Sequence, residues 1–70
     1  MMVYVIERFT DYESSQITKV FGDMQNAWKY CAEEIRKIQI EYYPTEAIET
    51  LPSGYRIGSR GVIFQEKEVE

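Results

Sequence analysis

The side chains that most often run enzyme chemistry are scarce in this sequence. Histidine is absent, and Cys31 is the one cysteine. Metal centres built on His or Cys, Ser-His and Cys-His nucleophile pairs, and imidazole proton transfer have no residues to work with. Carboxylates remain. Glu33 and Glu34 are neighbours on a predicted helix and splay apart, so they cannot share a site without tertiary help. Glu66, Glu68 and Glu70 recur at period two along a terminal strand, which reads as a solvated end that discourages edge aggregation. Asp11-Tyr12-Glu13 lacks the calcium-loop spacing of alternating Asp residues and a distant Glu. The expectation is no catalytic residue, no metal and no cofactor, hence a protein that is not an enzyme.

Two segments offer binding chemistry instead. Tyr55-Arg56-Ile57-Gly58-Ser59-Arg60-Gly61 combines two arginines, backbone N–H groups at glycines and a hydroxyl, which could hold a phosphate or carboxylate. Tyr55 could stack on a base beside Arg56 and Arg60. The stretch fits neither the Walker pattern nor a dinucleotide fingerprint. Its plainer reading is a glycine turn flanked by solvated arginines. Asp11 and Glu13 around Tyr12 form an acidic loop, either a solvated turn or a contact for a basic partner. Six tyrosines among 70 residues supply the large, low-entropy contact area that enriches interfaces.

Charge narrows the partners. Eight basic against 12 acidic residues give a formal charge of −4, which opposes attraction to a phosphate backbone, so nucleic acid is not expected. The acids run from Glu7 to Glu70, too dispersed for a nucleic-acid mimic, and read as simple solubility. A single cysteine forms no internal disulfide and fits a reducing, cytoplasmic setting. The opening Met1-Met2-Val3-Tyr4-Val5-Ile6 run meets Glu7 and Arg8 too soon for a membrane span or a signal-peptide core. At 70 residues and 44% hydrophobic composition, the chain is read as one globular domain.

The elements that must position these residues follow from pattern. Val3 to Phe9 is β-rich and stops at Thr10-Asp11. Asp11 to Gln16 reads as a polar connection, and Ile17 to Phe21 as a second strand. So short a link favours an antiparallel hairpin. After Gly22, Asp23 suits an N-cap. Met24, Trp28, Cys31, Ile35, Ile38 and Tyr42 then recur in steps of four and three, which places them on one helical face. Trp28 is therefore read as core, and Glu33–Lys37 as a favourable i,i+4 pair. Pro44 ends the helix near Glu41, with Tyr43 biased to extended geometry. Ala47 to Leu51, Tyr55 to Gly58 and Val62 to Val69 read as three strands joined by the Pro52-Ser53-Gly54 and Ser59-Arg60-Gly61 turns. The order β-β-α-β-β-β predicts an α+β two-layer sandwich, an antiparallel sheet of four or five strands with one helix on one face.

One helix covers one face of a sheet, yet the strands carry apolar residues on both. Val3, Val5 and Phe9 alternate with Tyr4 and Ile6. Ile17 and Phe21 fall on the side opposite Val20 by simple alternation, and Val62 and Phe64 opposite Ile63. An exposed antiparallel face normally turns polar at every second residue. A core this small also gains from association, which adds stability by mass action. The surplus apolar surface is therefore expected to meet a protein partner or a second copy. Tyr4, Tyr12, Glu13, Val20 and Ile63 are the expected contact residues. The plainer alternative is scattered surface apolars.

The pattern Val3-Tyr4-Val5-Ile6, Asp11-Tyr12-Glu13, Val20-Phe21 and Ala27 to Tyr30 resembles short uncharacterised proteins of Gram-positive bacteria and their phages. The resemblance covers about half the chain and leaves out the C-terminal meander. It implies no catalytic residues. What it implies is an accessory protein of a mobile element that binds and modulates a host protein.

Overall fold

The first two β-rich runs pair more extensively than their apolar residues alone indicate. In the computed structural model, which describes Met1 through Glu70, β1 (Met2–Thr10) and β2 (Glu13–Phe21) form an antiparallel hairpin. Only Asp11 and Tyr12 lie between the strands. Glu13–Gln16, expected in the connection, extends β2 instead. These polar residues carry no apolar alternation, because that part of β2 is exposed on both sides.

The helix α1 (Met24–Tyr42) starts where the Asp23 side chain accepts a 2.8 Å hydrogen bond from the Asn26 N–H. It ends at Tyr43, whose N–H donates to the Gln39 carbonyl before Pro44. Its buried stripe is Ala27, Cys31, Ile35 and Ile38. Met24 and Tyr42, at the two ends, stay exposed. Lys37 pairs with Glu34 at 3.0 Å and not with the expected Glu33, an i,i+3 contact that the helix surface permits equally.

Beyond the helix, β3 (Glu49–Leu51), β4 (Gly54–Ile57) and β5 (Arg60–Glu68) form the expected meander. The first of these strands is shorter than Ala47 to Leu51. Ile48 lies outside it and packs against the core. β5 returns to the centre and pairs with β1 over its full length, giving an antiparallel sheet ordered β2-β1-β5-β4-β3. The expected α+β two-layer architecture is therefore present. α1 packs mainly over β4 and β5 and only lightly over β1 and β2.

The core lies between the layers. Ile6, Ile57, Val62 and Phe64 from the sheet meet Ala27, Cys31, Ile35 and Ile38 from the helix. Trp28 meets Tyr55 and Phe64 edge-on, with ring centroids 5.5 and 5.2 Å apart. Such aromatic pairs add about 0.5–1.5 kcal/mol beyond their buried area. Trp28 is thus part of the packing.

Simple alternation fails twice in β2. β1 advances from Ile6 to Glu7 while its partner on β2 jumps from Lys19 to Ile17, leaving Thr18 as an extra residue. A second irregularity lies between Arg8 and Thr10. Bulges of this kind re-aim side chains and blunt an edge against further strand pairing. β2 is an outer strand of the sheet.

Candidate functional site

Residues directly opposite on paired strands project to the same side, so the register assigns each candidate to a face. Tyr4 stands opposite Phe21 and Glu66 on the helix side, where its ring meets Phe64 at 5.9 Å. It belongs to the packing of that layer, not to the uncovered face. Glu13 stands opposite Thr10, which stands opposite Arg60, again on the helix side. Tyr12 projects from the hairpin tip and is 87% exposed. Val20 and Ile63 do lie on the uncovered face, opposite Val5 and Glu7 respectively. The five expected contact residues therefore do not form one patch. Only Val20 and Ile63 lie on the uncovered face.

What joins them is a residue whose side was misassigned. Thr18, the extra residue in β2, places Ile17 opposite Glu7, on the same side as Val20 and away from Phe21. Ile17 is 64% exposed and Val20 53%. Toward the sheet centre they continue into the half-buried Val3, Phe9 and Ile63 around Val5, which is itself buried, and half-buried Leu51 follows at the far edge opposite Gly54. Polar side chains interrupt this surface. The Gln65 amide donates to Glu7 at 3.2 Å near its middle. The face mixes apolar side chains with the Glu7–Gln65 pair and with Lys67, Arg56 and Glu49 toward its rim, and no second layer covers it.

The other candidate segment comes apart. Arg56 and Arg60 project from opposite faces, because Arg56 stands opposite Gly61 and Phe9 while Arg60 stands opposite Ile57 and Thr10. They cannot converge on one phosphate. Arg56 is already engaged. Its Nη2 donates to both Asp11 carboxylate oxygens at 2.6 and 2.5 Å, and its Nε donates to the Gly58 carbonyl at 3.2 Å. The Asp11 N–H also donates to the Ser59 carbonyl at 2.9 Å. The acidic hairpin tip is therefore tied to the β4–β5 turn. Tyr55 packs against Trp28 on the helix side, so its ring is not offered to a base.

Arg60 has a different environment. Its guanidinium lies 4.0 Å from the centre of the Tyr42 ring, a cation–π stack at the end of α1. Next to it the Tyr43 and Ser59 hydroxyls share a 2.9 Å hydrogen bond. That bond, with the nearby Arg60 charge, holds the Tyr43 hydroxyl below the usual phenol range. Gly58 takes φ +56°, and a Cβ there would press on the Tyr43 ring. Glycine is required on both counts. A second close approach occurs at Gly61, where a Cβ would overlap the Phe9 ring.

Cys31 offers no reactive thiol. It is fully buried, and burial, with a smaller contribution from the Glu34 carboxylate, pushes its pKa from 9.0 to about 11. No group of three or more Cys, Asp and Glu side chains comes together to hold a metal ion. No helix is long and apolar enough to cross a membrane.

Alternation alone missed Ile17, because no residue in β2 announces a bulge, and it missed Arg8, which lies with Arg60 on the helix side. Compared with known proteins, the chain matches no family model, no curated protein and no solved structure.

Proposed function

We propose that this protein is a non-enzymatic protein-binding module whose contact surface is the uncovered sheet face, with a second copy of the chain as its first candidate partner. The observation that carries the reading is the pairing of two exposed β-branched side chains, Ile17 and Val20, on the outer strand of a face with no covering layer. Contiguous exposed apolar surface marks interaction sites more often than it serves solubility. The strip runs inward past the buried Val5 to the half-buried Ile63, and Tyr12 stands exposed at the end of the hairpin. The irregular edge of β2 disfavours strand addition, so the contact is made by the face and not by the edge. Self-association of this kind suits a chain with a small core, since it adds stability in proportion to the logarithm of concentration. In the accessory-protein version, a host protein of a bacterium takes the place of the second copy on the same face.

Sedimentation velocity over the micromolar range tests this directly, using the wild-type chain and Ile17→Lys/Val20→Lys. The expected result is a wild-type dimer and a folded, monomeric double variant. A wild type that stays monomeric and retains no stoichiometric protein in affinity capture overturns the reading.

A further inference from the structure

On the side of the sheet away from the docking face, the β1–β2 hairpin and the C-terminal end of α1 enclose a cleft of about 210 Å³. Arg8 and Arg60 both line it, together with Thr10, Gln16, Tyr42 and Glu13. The register brings the two arginines close. Arg8 stands opposite Val62, and Arg60 is two residues before Val62 on the same strand. They are therefore diagonal neighbours, with Cα atoms roughly 7–8 Å apart in ordinary sheet geometry. Neither guanidinium has a carboxylate oxygen within ion-pair distance; the ion pairs of the molecule lie elsewhere. Two like charges thus face one cleft, with Glu13 the single acid in its wall.

Neutral donors accompany the charges. The Thr10 hydroxyl accepts from the Glu13 N–H at 3.0 Å, which leaves its own proton free to donate. Gln16 stands opposite Arg8 on the same side, exposed, so its amide lies beside the cleft and can turn toward a ligand. The Tyr42 ring holds the Arg60 guanidinium by its face; the Tyr43 hydroxyl meets part of its N–H edge, and the remaining N–H groups are left for a ligand. Offset of the helix C-terminal dipole accounts for a cation at Arg60. It does not account for Arg8, which sits on the neighbouring strand.

We infer that this cleft binds a phosphate dianion, free or as a small phosphomonoester, between the Arg8 and Arg60 guanidiniums with Thr10 and Gln16 as neutral donors. Guanidinium groups match phosphate oxygens in charge and in planar hydrogen-bond geometry. The volume lies below the roughly 300–1,000 Å³ of sites for drug-sized ligands, which restricts the guest to a phosphate with little attached. The inference goes beyond the docking proposal and occupies the other face, so either can fail alone.

The test is an amide-resolved NMR titration of the full chain with inorganic phosphate, phenyl phosphate and succinate, at constant ionic strength set with chloride. Saturable shifts at Arg8, Thr10, Gln16 and Arg60 with inorganic phosphate are expected. Affinity should fall about tenfold or more in both Arg8→Gln and Arg60→Gln, the loss of one charge-assisted contact. Lys29→Gln, which removes the same charge from an exposed helix position, should leave affinity unchanged. Phenyl phosphate binding at least as tightly as inorganic phosphate identifies a monoester as the guest, and weaker binding identifies free phosphate. Arg8 is exposed, so its variant keeps the test open should Arg60→Gln disturb the end of α1. Non-saturable shifts, equal affinity in Arg8→Gln, or succinate binding as tightly as phosphate would overturn the inference.

Discussion

Ile17 and Val20, three residues apart on β2, project from the same face of the sheet because Thr18 is an extra residue between their pairing positions. Without it, strict alternation would send Ile17 to the helix side with Phe21. The bulge therefore gathers two exposed β-branched side chains onto the surface that α1 leaves uncovered. If they serve contact and not the core, their loss should cost the isolated chain little. Ile17→Ser and Val20→Ser are expected to change unfolding free energy by no more than about 1 kcal/mol in dilute solution. Ile6→Ala, which empties a fully buried site, should cost about 2–5 kcal/mol. Urea denaturation at low protein concentration compares the three.

The Arg56–Asp11 pair fastens the hairpin tip to the β4–β5 turn, and its parts are partly exposed, at 33% and 41%. Solvent screening limits such a pair to about 0–1 kcal/mol. Arg56→Ala should therefore leave global stability almost intact while releasing the tip. The Asp11 amide, bonded to the Ser59 carbonyl, should lose hydrogen-exchange protection while the amides of β5 keep theirs.

Cys31 links stability to alkaline pH. Its thiol has a higher pKa folded, about 11, than the ordinary 9.0. The unfolded chain therefore releases its proton first, so the contribution is full below pH 9 and declines as pH rises toward 11. The slope approaches about 1.4 kcal/mol per pH unit within that window. Cys31→Ala should flatten this part of the stability–pH profile relative to wild type. The native thiol should also resist a disulfide reagent until the chain unfolds.

Gly61 lets the Phe9 ring lie directly across the β1–β5 ladder, where a Cβ would overlap it. Gly61→Ala must push the ring aside, at a cost of about 1–3 kcal/mol. Thermal unfolding should show a lower midpoint, and Phe9→Leu/Gly61→Ala should recover part of the loss.

Much of the architecture was legible in residue order. Asp23, the Cys31-Ile35-Ile38 spacing and Pro44 set the helix and its limits, because capping, periodicity and proline act over a few residues. The Gly-rich breaks after Leu51 and Ile57 likewise marked the meander. The faces were less legible. Tyr4 sits on the helix side because pairing fixes which parity of β1 meets α1, and that pairing is not local. Arg56 and Arg60 look like one basic cluster in sequence, yet the turn between them hands successive strands opposite orientations. Ile17 was hidden by a bulge whose cause lies in the mismatch between two strands, not in Thr18 itself. Glu13–Gln16 read as a connection since an exposed strand segment leaves no apolar rhythm.

Methyl-labelled NMR spectra of the isoleucines and valines, recorded as protein concentration rises and again with any stoichiometrically captured protein, test the docking proposal most directly. The Ile17, Val20, Val5 and Ile63 methyls should shift together and saturate, while Ile35, Ile57 and Val62 in the core stay fixed. Methyls on the uncovered face that remain unmoved throughout, or shifts centred on another surface, would contradict it.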